Sequence, residues 1–164
     1  MNDRFSFKAL FEPRGIAFIG ASTNPAKWGF NILHHILRGE YGGAVYPIHP
    51  HGGTWFGRPM YRSLAEAPRP IDLAIIVVPK ENVPDTLRQC AQAEIGAAVV
   101  ITAGFAETGQ EGKALERELV SVARACGIRL VGPNTMGIYS AYPSRLQAVM
   151  TASQFHPGAI AVPQ

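Results

Sequence analysis

The segment Leu73-Ala-Ile-Ile-Val-Val78 is apolar at every position. A half-exposed strand alternates apolar and polar residues, so this unbroken run predicts a strand covered on both faces. Strands of that kind belong to parallel sheets with helices above and below. The rest of the chain reads as the partners such a sheet needs. Ile16-Ala-Phe-Ile-Gly20 is a short apolar run ended by glycine, and Ala44-Val-Tyr-Pro-Ile48 and Ala98-Val-Val-Ile-Thr102 are further strands. Met60-Tyr61 is a brief one, and Arg129-Leu-Val131 precedes Gly132-Pro-Asn134. Helical patterns lie between them. Asn24-Pro25 offers an N-cap with proline at the first helical position, and Ile32, Leu33, Ile36 and Leu37 follow at helical spacing until Gly39. A second helix runs from about Asn82 to Ala93, with Val83, Leu87, Cys90 and Ala91 inward. Thr108-Gly-Gln-Glu111 has the spacing of a capping box, and Leu115, Leu119, Val122 and Cys126 continue a third helix to Gly127. The alternation predicts an α/β fold, Rossmann-like and doubly wound, with a mainly parallel sheet and helices on both faces.

Composition narrows the class. The chain has 164 residues, one domain's worth. At 47% hydrophobic and 16% charged it is too apolar for disorder. No apolar run approaches the roughly 20 residues that span a bilayer, so no membrane partner is expected. Residues 1–15 lack the apolar core of a signal peptide, and two cysteines are too few for a disulfide scaffold. Reduced thiols in a cytoplasmic protein are expected. The net charge of +3 is local: between Pro13 and Ala65 stand Arg14, Lys27, Arg38, Arg58 and Arg62 against Glu40 alone. That distribution fits a compact anionic ligand rather than a nucleic-acid track.

In open α/β sheets ligands bind at the carboxyl ends of the strands, near the point where strand order reverses. Right-handed crossovers put that point between the strands Ile16–Gly20 and Leu73–Val78. Small, backbone-exposing residues follow each strand: Gly20-Ala21-Ser22-Thr23 and Lys27, then His49-Pro50-His51, Val78-Pro79, Thr102-Ala103-Gly104 and Asn134. Gly20-Ala21-Ser22 ahead of a helix reads as a phosphate cradle, with Lys27 as an added cation, although an ordinary strand-to-helix turn also needs a glycine there. The loop is not G-x-G-x-x-G, because the next glycine after Gly20 is Gly29, and no Asp or Glu ends the second strand to take ribose hydroxyls. This argues against NAD. Imidazoles at His49 and His51 favour a ribose phosphate instead, as in NADP or the 3′-phosphate of coenzyme A. The same pair is two-thirds of a small metal site without a third ligand, so no metal is expected. His34 and His35 read as surface or packing residues.

No catalytic constellation is visible. Ser22 lacks a G-x-S-x-G setting, the cysteines fall on helix faces, and Glu107, Glu111, Glu116 and Glu118 read as a solvated face.

Six segments in order carry a resemblance: Pro13-Arg-Gly-Ile-Ala-Phe-Ile-Gly-Ala-Ser22, Lys27-Trp-Gly29, Val45-Tyr-Pro-Ile-His-Pro50, Asp72-Leu-Ala-Ile-Ile-Val-Val-Pro79, Val100-Ile-Thr-Ala-Gly-Phe105 and Gly132-Pro-Asn-Thr-Met-Gly-Ile138. From about Phe11 to Tyr139 the chain resembles the N-terminal CoA-binding domain of the NDP-forming acyl-CoA synthetases, the superfamily of the succinyl-CoA synthetase α subunit. The resemblance implies coenzyme A, or acyl-CoA, held along the strand ends. The Gly20-Ala21-Ser22 loop and Lys27 would contact phosphates. The ribose 3′-phosphate is expected at His49 and His51, where the family usually carries Asn and a basic residue. Val78-Pro79 and Thr102-Ala103-Gly104 would line the path of adenosine and pantetheine, and Asn134 would shape its far end. The family's phosphorylated histidine and ATP-grasp machinery stand on other domains, and His156 is given no such role. The resemblance therefore implies binding without turnover by this chain. The expected division is a CoA-binding domain over residues 1–141, then a linker and the first strand of a truncated following domain over 142–164, with Gly158-Ala-Ile-Ala-Val162 as that strand. Two other readings share the module: a CoA-binding-like regulatory domain of a protein lysine acetyltransferase, and a stand-alone NADP- or nucleotide-binding regulator.

Overall fold

The computed structural model describes residues 7–38, 41–139 and 148–150. Five strands form one parallel sheet: β1 (Gly15–Ile19), β2 (Ala44–Ile48), β5 (Leu73–Ile76), β6 (Ala97–Val100) and β7 (Arg129–Val131), in the order β2-β1-β5-β6-β7. The register sets Ala17 between Tyr46 on β2 and Ala74 on β5, and Ile75 beside Val99 on β6. Every residue of β5 and β6 is buried, as their unbroken apolar runs require.

Side chains alternate between two cores. Ile16, Phe18, Leu73, Ile75, Ala97 and Val99 face α1 (Phe7–Phe11) and α2 (Trp28–Arg38), which contributes Ile32, Leu33 and Ile36. Ala17, Ala74, Ile76, Ala98 and Val100 face α3 (Val83–Gln92) and α4 (Gln110–Ala125), through Val83, Leu87, Cys90 and Leu119. Each fully buried aliphatic side chain contributes about 1.5–3 kcal/mol relative to exposure. The doubly wound α/β architecture with helices on both faces is the one expected.

Several boundaries differ from the sequence reading, each for a local reason. Gly20 has φ +99 and lies outside β1. Asn24-Pro25 opens a turn rather than the helix: Asn24 Oδ1 accepts the Ala26 amide at 2.9 Å and the Asn24 carbonyl accepts that of Lys27 at 3.0 Å. The helix starts three residues later, at Trp28. The Thr108–Glu111 capping box does not form. Gly109, at φ 105, is the N-cap of α4, and Thr108 Oγ1 donates to the Phe105 carbonyl within a 3-10 turn. Met60-Tyr61 is not a sheet strand of its own. β4 (Arg58–Met60) pairs antiparallel with β3 (Gly53–Trp55), and only Tyr61 bridges to Ile48. Within residues 142–164, expected to be a linker and a following strand, β9 (Ala148–Met150) pairs antiparallel with β8 (Gly137–Tyr139). His156 and Gly158–Val162 lie outside the described residues.

Candidate functional site

The order of the strands sends the chain in opposite directions from β1: first to β2 on one side, then back past it to β5 on the other. The loops leaving β1 and β5 therefore part at the carboxyl edge and open a crevice between them.

The β1–α2 loop is built on two close approaches. A Cβ on Gly20 would sit 2.2 Å from the Val77 carbonyl oxygen, and one on Gly29 would sit 2.0 Å from the Gly20 carbonyl oxygen. Glycine at both places lets the start of α2 lie against the end of β1. The amides of Gly20 and Ala21 both donate to the Ile48 carbonyl at 3.2 Å, which ties this loop to the end of β2. Ser22 Oγ accepts the Asn24 amide at 3.1 Å. Among the described residues, the amides of Ser22, Thr23, Trp28 and Gly29 have no hydrogen-bond partner. Free donors in the loop at Ser22 and Thr23 and at the start of α2 at Trp28 and Gly29 are the kind of groups that bind an anion. Lys27 is exposed beside them and pairs with no carboxylate among the described residues.

His49, Pro50 and His51 form a turn at the end of β2. The Gly52 amide donates to the His49 carbonyl at 2.8 Å, the His51 amide to His49 Nδ1 at 3.3 Å, and the two rings are 5.4 Å apart. Among the described residues no group of three metal-binding side chains includes them. Beyond β5, Val78 accepts a hydrogen bond from Thr102 Oγ1 at 2.7 Å, which ties the ends of β5 and β6 together. Thr102 in turn accepts the Asn134 amide at 2.9 Å. Asn134 is exposed with φ 50, a conformation that Asn tolerates better than most residues. The candidates from all five loops thus share one edge, linked loop to loop by hydrogen bonds.

Three further residues belong to this edge. The stem of Lys80 lies over Gly104, where a Cβ would be 2.8 Å from Lys80 Cδ. Glu107 accepts the Gly104 amide at 2.5 Å, and that bond, helped by Lys80, holds its carboxyl below the usual range. Trp55 is only 4% exposed and donates from Nε1 to the Ser22 carbonyl at 3.1 Å. It packs on Phe30 and Phe56, so the β3–β4 hairpin braces the cradle from one face. Trp55 lies 33 positions from Ser22, and no local pattern announces the pairing. Arg14 does not belong here. It precedes β1 at the opposite edge and grips Asp72 bidentately, Nη2 to Oδ1 at 2.7 Å and Nε to Oδ2 at 2.9 Å. Arg38 is the last residue of α2, at the helix end opposite the cradle.

A family model of the CoA binding domain matches residues 14–141. The chain belongs to the CoA-binding domain family. It is 43% identical over 145 residues to the α subunit of acetate–CoA ligase [ADP-forming] II of Pyrococcus furiosus, covering 88% of this chain and 32% of that protein. The α subunit of ligase I of the same organism is 38% identical, over 96% of this chain and 35% of its own length. Among solved structures, PH0766 of Pyrococcus horikoshii matches with a TM-score of 0.76 and 46% identity, over 80% of this chain and 30% of that one. The dinucleotide-forming acetyl-coenzyme A synthetase 1 of Ca. Korarchaeum cryptofilum matches at 0.76 and 39%, over 82% and 29%. The chain thus spans about a third of these relatives. Over that span it is homologous to these α subunits. The relatives favour the ligase reading over the acetyltransferase and regulator readings. Among the described residues, no helix is long and apolar enough to cross a membrane.

Proposed function

We propose that this chain is the CoA-binding module of an ADP-forming acyl-CoA synthetase of the acetate–CoA ligase type. The observation that carries the reading is the cradle of free amides at Ser22, Thr23, Trp28 and Gly29, set in a CoA-binding domain at the sheet's point of reversal. Two phosphates of CoA lie on this cradle, with Lys27 adding charge. The ribose phosphate lies toward His49 and His51. Adenosine and pantetheine run past Val78, Pro79 and the Thr102-Ala103-Gly104 loop toward Asn134. The module occupies residues 1–141, and β9 (Ala148–Met150) pairs back onto it through β8. Turnover belongs to ligase-type and ATP-grasp domains elsewhere in the parent protein. Two free cysteines, Cys90 and Cys126, support a cytoplasmic setting.

Calorimetry with CoA, dephospho-CoA and NADP tests the reading. CoA binds and NADP does not. Binding of NADP without CoA overturns it. Lys27→Ala weakens CoA by about 1–2 kcal/mol, as loss of a charge-assisted contact does, and unchanged affinity removes Lys27 from the site.

A further inference from the structure

A third basic side chain stands at the carboxyl end of β2. Tyr61 is bridged in parallel to Ile48, with its amide donating to the Pro47 carbonyl and its carbonyl accepting the His49 amide, both at 2.9 Å. That pairing fixes the next residue, Arg62, beside the His49–Gly52 turn. The stem of Arg62 lies against the bare face of Gly52, where a Cβ would be 3.2 Å from Arg62 Cγ and 3.5 Å from Nε. Gly52 has φ +61, so the turn and the close approach require the same residue. Glu66 is the nearby acid, but its Oε2 accepts the Arg62 backbone amide at 3.0 Å. No carboxylate pairs with the Arg62 guanidinium among the described residues. The turn it crosses is tied to the phosphate cradle by the two bonds on the Ile48 carbonyl.

We propose that Arg62, acting with His49 and His51, is the residue that selects nucleotides carrying a ribose phosphate monoester. This rests on the CoA-binding reading, since the subsite adjoins the same cradle. A guanidinium is permanently charged and its planar fork matches two phosphate oxygens at once. The fork therefore supplies a fixed charge and a geometric match to the monoester at this turn. Separation along the chain explains why the sequence hides it: Arg62 reaches the turn from the strand segment that follows the β3–β4 hairpin.

The test is calorimetric titration of the whole chain with CoA and with dephospho-CoA. The chain prefers CoA by about tenfold or more, a step of about 1.4 kcal/mol. Arg62→Gln removes most of that preference by weakening CoA and leaves dephospho-CoA unchanged. Arg62→Lys, which keeps the charge without the fork, falls between, and decides the matter if the Gln variant does not fold. Arg38→Gln, which removes a charge at the far end of α2, leaves the ratio as it is. Equal weakening of both ligands by Arg62→Gln overturns the inference, because it marks Arg62 as a brace for the turn. Equal binding of both ligands by the unmodified chain also overturns it, with the CoA-binding reading intact. Binding of neither ligand overturns the CoA-binding reading itself and the inference with it.

Discussion

Glycine positions decide the most at the scale of single residues. Gly29 is helical, where alanine has the better propensity by about 1 kcal/mol. A Cβ there meets the Gly20 carbonyl oxygen at 2.0 Å, and overpacking of this kind costs about 1–3 kcal/mol. The clash is with backbone, so it outweighs the propensity. Gly29→Ala is expected to lower the melting temperature and to weaken CoA together, because the helix start carries the cradle amides. A variant that melts higher with unchanged affinity rules out the close approach. The Arg14–Asp72 pair makes a different case. Its hydrogen bonds from Arg14 hold the Asp72 carboxyl below its ordinary value, against the opposing effect of burial. A folded pKa below the unfolded value of about 3.9 gives stability that is present above that value and lost as pH falls through the folded one. Asp72→Asn is expected to cost about 1 kcal/mol at pH 7, a modest figure because Arg14 is largely exposed. Urea melts should show the two proteins converging as pH falls below the ordinary carboxylate range. A difference that persists there assigns the loss to packing. Composition placed Arg14 with the ligand charges, and only the direction of β1 shows that it stands at the other edge.

Elements were legible where periodicity is strong and less so at their ends. The buried runs of β5 and β6 and the apolar spacing of α2, α3 and α4 named both the elements and the faces they bury. The starts of α2 and α4 differ from the expected ones because capping residues have alternatives, while α3 starts after Asn82 as expected. Asn24 satisfies Ala26 in a turn, and Thr108 turns back on Phe105. Pairings outside the parallel sheet were not legible, and the β3–β4 hairpin is the clearest instance. Trp55→Phe keeps the ring that packs on Phe30 but removes the donor to Ser22, a hydrogen bond worth about 1 kcal/mol. CoA affinity is expected to fall while the fold is retained, measured by titration beside a thermal melt. Unchanged affinity means the hairpin does not brace the cradle. On α3, burial pushes the Cys90 thiol up to about 12, while Cys126 is half-buried. A thiol reagent at pH 8 is expected to modify Cys126 first and Cys90 only on unfolding, read by mass spectrometry of the peptides. Equal rates mean that α3 and α4 separate readily in the native state.

The whole molecule puts the loops of five strands on one edge, and the strand and helix pattern of the sequence alone requires this. Parallel strands joined by right-handed crossovers all deliver their carboxyl ends to the same side, so the residues after each strand must gather there. What the rule leaves open is how the loops are joined, and the hydrogen bonds from Gly20 and Ala21 to Ile48, Thr102 to Val78 and Asn134 to Thr102 supply that. The joined edge makes ligand binding a property of the sheet. At a concentration one hundred times its dissociation constant, CoA stabilises the folded chain by about 2.7 kcal/mol. For a chain of this size that raises the melting temperature by about 5–10 °C. Hydrogen exchange locates the effect. A ligand that touches only the cradle slows exchange in the β1–α2 loop and little else. One that runs from His51 to Asn134 clamps every strand end against its neighbour, so local opening of any loop must also break ligand contacts. Protection is therefore expected after β2, β5 and β6 as well as after β1. Protection confined to residues near Ser22 and Trp28 reduces the site to a phosphate cradle and withdraws the pantetheine path.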